Sequence, residues 1–365
     1  MTSDVEEQAA FRRALLAWYA ESRRDLPWRR TRDPYAILVS EVLLQQTRIA
    51  PGESYYRRFM ARFPTVQALA QANSEEVLQV WEGLGYYRRA RLLHAAAQEI
   101  VSHHNGHVPK DPDVLLALPG VGPYTAGAVA SIAYGHPMPA VDGNVTRVLA
   151  RLYRIEEDVT RSSTKRSILA RATRLVPGRN PGTFNQALME LGALVCLPKA
   201  PRCGACPVIR WCRARATGTE TSLPRRRKPS PVPTVTAVFA LVQRRGEVLL
   251  VRRPKDELLG GLWALPGGEV SEGELPMEGI RRLLRERPGV VAHPGPEIGR
   301  HTHTFSHRQW DAIALRCELD GDPPLGPDVR WVPRGELSDL PIVPFHRALL
   351  ERRASPSLEA FVPDT

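Results

Sequence analysis

The hydrophobic pattern of this chain changes its period once, and no other feature constrains the fold as strongly. Up to about residue 222, apolar side chains recur every three or four residues, as they do along the buried face of a helix. After residue 234 they alternate with polar ones, as on a half-buried strand. Between them, LPRRRKPSPVPT (residues 223–234) carries four prolines and four consecutive basic residues, which favours an extended, solvated linker. We therefore predict an all-α region over 1–222 and a separate α+β domain over 235–365.

The same periods predict individual elements. The predicted helices cover residues 7–20, 36–47, 86–102, 123–134 and 143–154. In the second half, TVTAVFALVQ and EVLLVRR flank Arg244-Arg245-Gly246 as the strands of a hairpin would. RQWDAIALRCEL alternates as a single strand, in which Cys317 is predicted to be a buried thiol.

Composition favours a polyanionic partner. The net charge is +11 and the isoelectric point is 9.8, which point to nucleic acid. The first residues lack a signal-peptide pattern, and no run approaches the eighteen apolar residues of a membrane span. We therefore expect a cytoplasmic protein with no membrane partner. Disulfides are rare in that compartment, so clustered cysteines would more often bind a metal.

Four of the five cysteines lie in one short run, CLPKAPRCGACPVIRWC. Four thiolates at this spacing admit either a zinc ion or an iron–sulfur cubane. Zinc sites usually draw two CxxC pairs from separate hairpins, whereas this run has one, which favours the cluster. The four candidate ligands are Cys196, Cys203, Cys206 and Cys212.

The stretch LPGVGPYTAGAVAS, residues 118–131, joins two helical patterns. Gly120 and Gly122 permit a tight turn, and Pro123 suits the first position of the next helix, whose N-terminus attracts anions. The stretch therefore indicates either a phosphate-binding hairpin or an ordinary turn between helices.

Two carboxylates are candidates for acid–base chemistry. Glu41 lies in an apolar helical stretch, where burial would raise its pKa, although the helical phase also allows it to face solvent beside Ser40. Asp142 precedes a helical pattern and reads as an N-cap, where amide donors would keep it ionised. One protonated and one ionised carboxyl group is the arrangement that glycosidic bond cleavage needs.

Several motifs together carry a family resemblance. LPWRR, SEVLLQQT, GLGYYRRAR, LPGVGPYTAGA, VDGNVTRVLAR and the cysteine run appear in the order found in MutY-type adenine DNA glycosylases. The chain resembles that family over essentially its whole length. The resemblance implies an all-α helix-hairpin-helix glycosylase domain, with the hairpin at about 112–134 and an iron–sulfur loop over 196–212, followed by a Nudix-like domain.

The resemblance also implies roles for individual residues. Glu41 would protonate a ring nitrogen of a flipped adenine, and Asp142 would stabilise the sugar cation. Tyr124 would support Glu41, and Asn144 would help to place the attacking water. Related endonucleases carry a strand-cutting lysine at position 124, so tyrosine there implies a glycosylase that leaves the strand intact. The implied adenine pocket contains Trp28, Arg29 and Gln186, and the implied DNA contacts are Gln46, Leu84, Tyr86, Gly120 and Gly122.

For the cysteine run, the resemblance implies one 4Fe-4S cluster. Its role would be to fix a loop whose Lys199, Arg202 and Arg210 meet DNA phosphates.

The second half resembles a Nudix domain with a degenerate metal site. In LWALPGGEVSEGELPMEGIRRLLRERPGV, Glu274 keeps the expected acidic position. Leu283 and Arg287 replace two of the glutamates, so no catalytic magnesium is expected. The alternative function is a Nudix-type hydrolase of damaged nucleotides tethered to a DNA-binding helical module. A DNA-binding scaffold without activity is a third hypothesis.

In the family, the Nudix-like domain reads the base opposite the adenine. The segment HTFSH would reach 8-oxoguanine through Phe305, Ser306 and His307. A metal site at His301, His303 and His307 is the alternative, but no nearby carboxylate or cysteine completes it. The implied partner is double-stranded DNA with A:8-oxoguanine or A:G mispairs, bound by a monomer associated with the nucleoid.

Overall fold

A computed structural model describes residues 2–45, 49–227, 230–305 and 307–351. Gln46 and Ser306, both implied DNA contacts, lie outside the described residues. The chain forms two compact units, and each is assembled from separate stretches of sequence. The first contains residues 1–71 and 92–229, and the second contains 72–91 and 230–365.

Helices dominate the chain up to residue 216, as their apolar periodicity predicts. They are α1 Thr2–Ser22, α2 Pro34–Leu43, α3 Ile49–Arg62, α4 Val66–Gln71, α5 Ser74–Val80, α6 Arg88–His103, α7 Pro112–Ala117, α8 Pro123–Ile132, α9 Gly143–Leu152, α10 Ser162–Leu175, α11 Pro181–Leu194 and α12 Arg213–Ala216. The helices predicted over 7–20, 86–102, 123–134 and 143–154 are confirmed to within a few residues, except that α1 begins five residues earlier.

The core of the first unit forms around α9 and α11. Leu149 on α9 and Phe184 and Leu188 on α11 are almost fully buried, and Phe11 and Leu15 of α1 pack in the same cluster. The apolar residues of α9 recur at helical spacing, so one face enters this core while its N-terminus stays at the edge. That placement puts Asp142, just before α9, beside the core.

From residue 230 onward, the described part of the second unit has two four-stranded sheets and the helices α13 and α14. Its elements are β1 Thr234–Leu241, β2 Gln243–Arg244, β3 Glu247–Arg252, β4 Trp263–Ala264, β5 Gly267–Glu269, α13 Pro276–Glu286, β6 Val291–Thr304, β7 Gln309–Asp320, β8 Val329–Pro333 and α14 Pro344–Glu351. One sheet has the order β5-β1-β7-β6, and in the other β3 pairs with β2, β4 and β8. The α+β prediction is therefore confirmed, and Cys317 on β7 is buried as predicted.

The predicted hairpin is only partly correct. Gln243 and Arg244 do pair with Val248 and Glu247 across the turn, but β1 does not join them. It pairs instead in parallel with β7 and antiparallel with β5. The reason is burial: Ala237–Ala240 is fully buried, as suits a central strand rather than the exposed arm of a hairpin.

Two stretches of the chain do not follow the predicted domain boundaries. The predicted linker begins at Leu223, but that side chain is buried and its carbonyl accepts a hydrogen bond from Arg151. The next stretch is also held, since the Arg225 carbonyl accepts from the Val159 amide. Residues 72–91, which the helical pattern assigns to the first region, belong to the second compact unit.

Candidate active site

Glu41 lies on α2 and is buried. Asp33 caps this helix, because its carboxylate accepts hydrogen bonds from the backbone amides of Tyr35 and Ala36, and Pro34 occupies the first turn. Nine of the ten residues of α2 are buried, so almost no side of the helix is open to solvent. The prediction of an apolar environment for Glu41 is confirmed, and the alternative of a solvent-facing glutamate is wrong.

Tyr124, near the start of α8, donates its hydroxyl hydrogen to Oε2 of Glu41. Burial raises the pKa of Tyr124 well above its ordinary value, so the phenol stays protonated and remains a donor. Burial also raises the pKa of Glu41 to about 7. The hydrogen bond from Tyr124 lowers this pKa, but burial has the larger effect. The charges of Asp142 and Arg29 have smaller and opposite effects on that pKa. Glu41 is therefore able to hold or release a proton at neutral pH.

Asp142 caps α9, as the sequence predicts. Its Oδ1 accepts from the backbone amide of Val145 at 2.7 Å, and its Oδ2 accepts from Nδ2 of Asn144 at 2.8 Å. Burial nevertheless raises the pKa of Asp142. These donors and the charge of Arg147 lower the pKa, but burial has the larger effect. The predicted difference in pKa between Asp142 and Glu41 is therefore smaller than expected. The local sequence shows the hydrogen-bond donors of Asp142 but not how far the fold removes it from solvent.

Asn144 is held from both sides. Its Oδ1 accepts from Nη2 of Arg147 at 2.8 Å, while its Nδ2 donates to Asp142. Arg147 is itself fixed by the carbonyls of Gly192 and Cys196, both at 2.8 Å. Asn144 therefore has one defined orientation beside Asp142.

Glu190 on α11 is a site residue that the sequence analysis missed. It is fully buried and binds Nη1 and Nη2 of Arg29 at 2.8 and 2.9 Å, and it also binds the backbone amide and the guanidinium of Arg24. Burial raises the pKa of Glu190, but the hydrogen bonds from Arg29 and Arg24 outweigh it and lower the pKa to about 2. A glutamate inside the apolar run ALMELGALV was the available signal, and it is of the same kind as the signal for Glu41.

The three residues implied for the adenine pocket lie on two elements. Trp28 and Arg29 share the short helical turn Pro27–Arg29, and the Trp28 ring meets that of Tyr56 edge-on at 5.2 Å. Gln186 lies one turn before Glu190 on α11, and its Oε1 accepts from the hydroxyl of Tyr19 at 3.3 Å. The Arg29 guanidinium also lies over the Tyr19 ring, at 5.6 Å from its centre.

The helix-hairpin-helix consists of α7, the turn 118–122 and α8. Gly120 has φ of +76°, and a Cβ there would lie 2.7 Å from Cβ of Leu92, so glycine is required both for the turn and for the packing. Gly122 is the N-cap of α8 and has open space beside it, as a backbone that meets a phosphate would need. The predicted hairpin is confirmed, and its contact with DNA stays a prediction.

The four clustered cysteines occupy a loop of short turns after α11. Cys196 follows the helix, Cys203 begins one 3-10 turn, Cys206 ends it, and Cys212 precedes α12. Among the described residues, no group of three or more His, Cys, Asp or Glu side chains is close enough to hold a single metal ion. Lys199, Arg202 and Arg210 of the same loop are exposed, as the proposed phosphate contacts require.

Arg151 on α9 ties this loop to the core and was also missed. It is almost fully buried, and its Nη1 donates to Sγ of Cys196 at 3.2 Å. Its other donors bind the carbonyls of Leu197, Pro198 and Leu223. An arginine on the apolar face of α9 was the only signal in the sequence.

Leu84 and Tyr86, implied to enter the base stack, lie on a tight loop of the second unit. Gly83, Gly85 and Tyr86 all have positive φ, at 91°, 68° and 45°. Tyr86 is 57% exposed, although it is a large aromatic residue held in a conformation that rarely suits one. An exposed aromatic on a stiff loop is suited to insertion between bases.

HTFSH begins on the last two residues of β6, and β7 starts after it at Gln309. The Phe305 ring meets Trp310 edge-on at 4.9 Å, and the Phe305 amide donates to the carbonyl of Arg308 at 2.8 Å. Arg308 and Trp310 both donate to Glu269 on β5, at distances of 2.6 to 2.7 Å. His307 is exposed. Over the described residues, the histidines of this segment form no group that would hold a metal ion.

The degenerate Nudix box lies on and before α13. Glu274 binds Nε and Nη2 of Arg282 at 2.8 and 2.7 Å, and Glu286 binds Nη1 of the same arginine. Arg287 donates to the carbonyl of Arg252, while Leu283 packs against the core of the second unit. Glu274 and Glu286 of the box are thus bound to a guanidinium, and the absence of a catalytic magnesium stays a prediction.

None of the helices over the described ranges is both long and apolar enough to cross a membrane.

Known proteins resemble the chain in the same two parts. The family described as HhH-GPD superfamily base excision DNA repair protein matches residues 39–174, and the NUDIX domain family matches 237–352. The adenine DNA glycosylase of Homo sapiens is 37% identical over 392 residues, covering 91% of this chain and 72% of the human one. That of Mycolicibacterium smegmatis is 46% identical over 205 residues, covering 56% of this chain and 69% of its own. A trapped endonuclease III–DNA covalent intermediate is 25% identical with a TM-score of 0.50, covering 60% of this chain and 98% of that one.

Proposed function

Because the chain belongs to the adenine DNA glycosylases of base-excision repair, we propose that it removes adenine paired with 8-oxoguanine, or with guanine, in double-stranded DNA. The observation that carries this proposal is the buried Glu41, with a pKa near 7, bonded to Tyr124 and close enough to Asp142 to sense its charge. Adenine has to leave the duplex to reach such a buried acid, and a damaged pair lowers the cost of flipping it.

Glu41 is the general acid of the proposed reaction. Its proton passes to a ring nitrogen of adenine, so the electron pair of the bond between the base and sugar C1′ leaves with a neutral base. Positive charge then develops on the sugar, where ionised Asp142 stabilises it. Water adds to C1′ and loses a proton, which leaves an abasic site. Asn144 is proposed to orient that water, and its fixed orientation between Asp142 and Arg147 supports this role.

Tyr124 is the reason to propose a glycosylase without strand-cutting activity. A lysine amine at this point would attack C1′ and form a Schiff base, which leads to strand cleavage. A phenol hydrogen-bonded to Glu41 offers no such amine. We therefore expect the abasic strand to remain intact.

The second domain is proposed to read the base opposite the adenine. The exposed His307 and the aromatic support under Phe305 suit a contact with a base edge. A nucleotide hydrolase is the poorer alternative, because Leu283 faces the core and Glu274 and Glu286 are bound to Arg282. Magnesium would find no free carboxylate pair at this helix.

The four cysteines are proposed to hold one 4Fe-4S cluster, which stiffens the loop that carries Lys199, Arg202 and Arg210. All four thiols lie on one loop of short turns after α11, and each is half-buried. Four such thiols supply the complete ligand set of a cubane. The run has one CxxC pair, whereas zinc sites usually draw two such pairs from separate hairpins, which favours the cluster.

The test is release of adenine from a duplex that contains one A:8-oxoguanine pair. We expect free adenine with an intact strand, little release opposite thymine, and no hydrolysis of 8-oxo-dGTP. Strand cleavage without added alkali would contradict the role of Tyr124, and absence of release would overturn the function. The same preparation should contain about four irons per chain. We also propose that it acts in the cytoplasm as a monomer, which light scattering would check.

A further inference from the structure

Residues 72–91 carry the loop with Leu84 and Tyr86, and they belong to the same compact unit as the lesion-reading domain. Helix α5 opens this segment, and Glu75 in its first turn lies among basic and aromatic groups. Oε1 of Glu75 accepts from Arg252 at 2.8 Å, from the indole of Trp263 at 3.2 Å and from Arg330 at 3.3 Å. The start of the segment is therefore fixed to β3, β4 and β8.

A second acidic residue fixes the other end of α5. Glu82 binds Nε and Nη2 of Arg347, on α14, at 2.5 and 2.9 Å. Arg347 is already oriented by the carbonyls of Leu337 and Leu340, at 3.0 and 2.7 Å. The two side chains are only 16% and 24% exposed, so the pair is partly shielded from solvent and salt.

The loop that follows Glu82 is stiff. The Leu84 amide donates to the Trp81 carbonyl at 3.2 Å, and the Trp81 indole donates to the Gly85 carbonyl at 3.1 Å. These bonds restrict the backbone conformation of the loop, and Gly83 and Gly85 adopt the positive φ values that this conformation needs. A shift at Glu82 therefore moves Leu84 and Tyr86 with it.

Helix α14 also contacts β6, the strand that leads into HTFSH. The ring of Phe345, two residues before Arg347, stacks on His301 at 5.4 Å with an interplanar angle of 14°. His303 lies 6.2 Å from the same ring, and it also meets Phe305 edge-on at 4.5 Å. Packed rings thus join HTFSH, the lesion-reading segment, to Phe345, and helix α14 joins Phe345 to Arg347. The ion pair then joins Arg347 to the stack-entering loop, which carries Leu84 and Tyr86.

We propose that Glu82 and Arg347 are positioning residues, which couple recognition of the base opposite adenine to the placement of Leu84 and Tyr86 in the base stack. The proposal rests on the proposed function, since it assumes that Phe305 and His307 read the opposite base and that Leu84 and Tyr86 enter the stack. Binding of the lesion fixes β6 and α14, and the ion pair carries that constraint to the loop. Loss of the pair separates the two contacts without removing either.

The first test uses the DNA-free protein and measures hydrogen exchange of the amides at 83–87. Arg347→Met keeps the length of the side chain and removes its donors, and Glu82→Gln removes the charge from the other side. Both should speed exchange at 83–87 by about fivefold or more, because local opening no longer breaks the pair. In Arg347→Lys, exchange at 83–87 should be faster than in the wild type and slower than in these two variants. Arg282→Gln is the matched control, since it removes a bidentate pair on α13, and it should leave this exchange unchanged. Unchanged exchange in both Arg347→Met and Glu82→Gln would overturn the proposal.

The second test measures single-turnover release of adenine opposite 8-oxoguanine and opposite guanine. Each variant should lower the preference for 8-oxoguanine by about three- to tenfold, while Arg282→Gln keeps it. A purely structural pair would slow both substrates alike, so an unchanged preference would overturn the coupling. The double variant should lose no more preference than either single one, because the two side chains act as one unit. Additive losses would contradict this.

Different outcomes test the proposed function and the coupling. If the wild type releases no adenine from either duplex, the proposed function is wrong, whereas the exchange of 83–87 still reports on the pair. If the wild type prefers 8-oxoguanine and the variants retain that preference with faster exchange, the function stands and the coupling is wrong.

Discussion

The two groups of carboxylates in this chain, one in each unit, have opposite surroundings. Glu41 is buried and Asp142 is half-buried, both have few positive partners, and loss of solvent raises the pKa of both. Glu274 is bound by Arg282, which lowers its pKa to about 2, and Glu286 binds the same guanidinium on an exposed helix face.

The difference shows what keeps a carboxylate reactive. A group that lacks a compensating cation titrates near neutrality and is able to exchange protons with a substrate. A group neutralised by arginine has lost both its proton affinity and its capacity for a metal ion. Glu190 sharpens the point, since it is as buried as Glu41 and yet its pKa falls to about 2 because two arginines bind it.

The largest effect is expected when the acidic proton of Glu41 is removed. Glu41→Gln keeps the size of the side chain but cannot donate an acidic proton to the base. Adenine release should fall by at least about 100-fold with DNA affinity retained, because a positioned acid contributes two to four orders of magnitude. Single-turnover kinetics and a binding titration on the same duplex check both parts. Near-normal release would remove Glu41 from the mechanism.

Glu190 should matter for stability rather than for proton transfer. Its folded pKa of about 2 lies below that of an unfolded glutamate, so its stabilisation is present above about pH 4.5 and is lost as the pH falls towards 2. Glu190→Gln should cost about 3 kcal/mol of unfolding free energy at pH 7, since it leaves two arginines without their anion. Urea melts of both proteins between pH 7 and 3 should show the difference shrinking at low pH. A constant difference would contradict the linkage.

A milder change should alter the pH dependence. The reaction needs protonated Glu41, so the rate should fall with rising pH above about 7. The Tyr124 hydroxyl stabilises the ionised form, and Tyr124→Phe should raise the pKa and move this alkaline limb to higher pH. Normalised pH–rate profiles of the two enzymes measure the shift. A limb displaced to lower pH would show that the hydroxyl acts on Glu41 in another way.

The smallest expected effect concerns magnesium. Because Arg282 holds Glu274 and Glu286, adenine release should change by less than about twofold between EDTA and millimolar Mg²⁺ at matched ionic strength. Calorimetric titration of the DNA-free protein with Mg²⁺ should show no site on α13. Saturable binding that disappears in Glu274→Gln would restore the Nudix alternative.

The sequence predicts the parts of the site that depend on local pattern. The apolar neighbours of Glu41 are visible in the sequence, although the helical phase also allowed a solvent-facing glutamate. The N-cap at Asp142 and the hairpin at Gly120 are visible as well. The partners of Glu190 are not, since Arg24 lies 166 residues away and no periodicity relates the two. Motif resemblance supplied Tyr124 and Asn144, whose contacts with Glu41 and Asp142 depend on how α8 and α9 pack.

The packing of residues 72–91 in the second unit could not be predicted from the sequence, for the same reason. Its helical pattern is ordinary, and the arginines that bind Glu75 and Glu82 lie far along the chain. Likewise, the strand pattern of β1 is correct, but the choice between a hairpin and a parallel partner depends on burial across the whole sheet.

The assembly of the second unit from two separated stretches has a consequence for the order of synthesis. About 140 residues separate Arg91 from Ser230, and a ribosome takes roughly 7 to 28 seconds to add them. During that interval Glu75 and Glu82 have been made but Arg252, Arg330 and Arg347 have not. The loop with Leu84 and Tyr86 therefore gains its full support only after Arg347 has been made. A nascent chain interrupted before residue 347 would carry the catalytic carboxylates without the ion pair that fixes this loop.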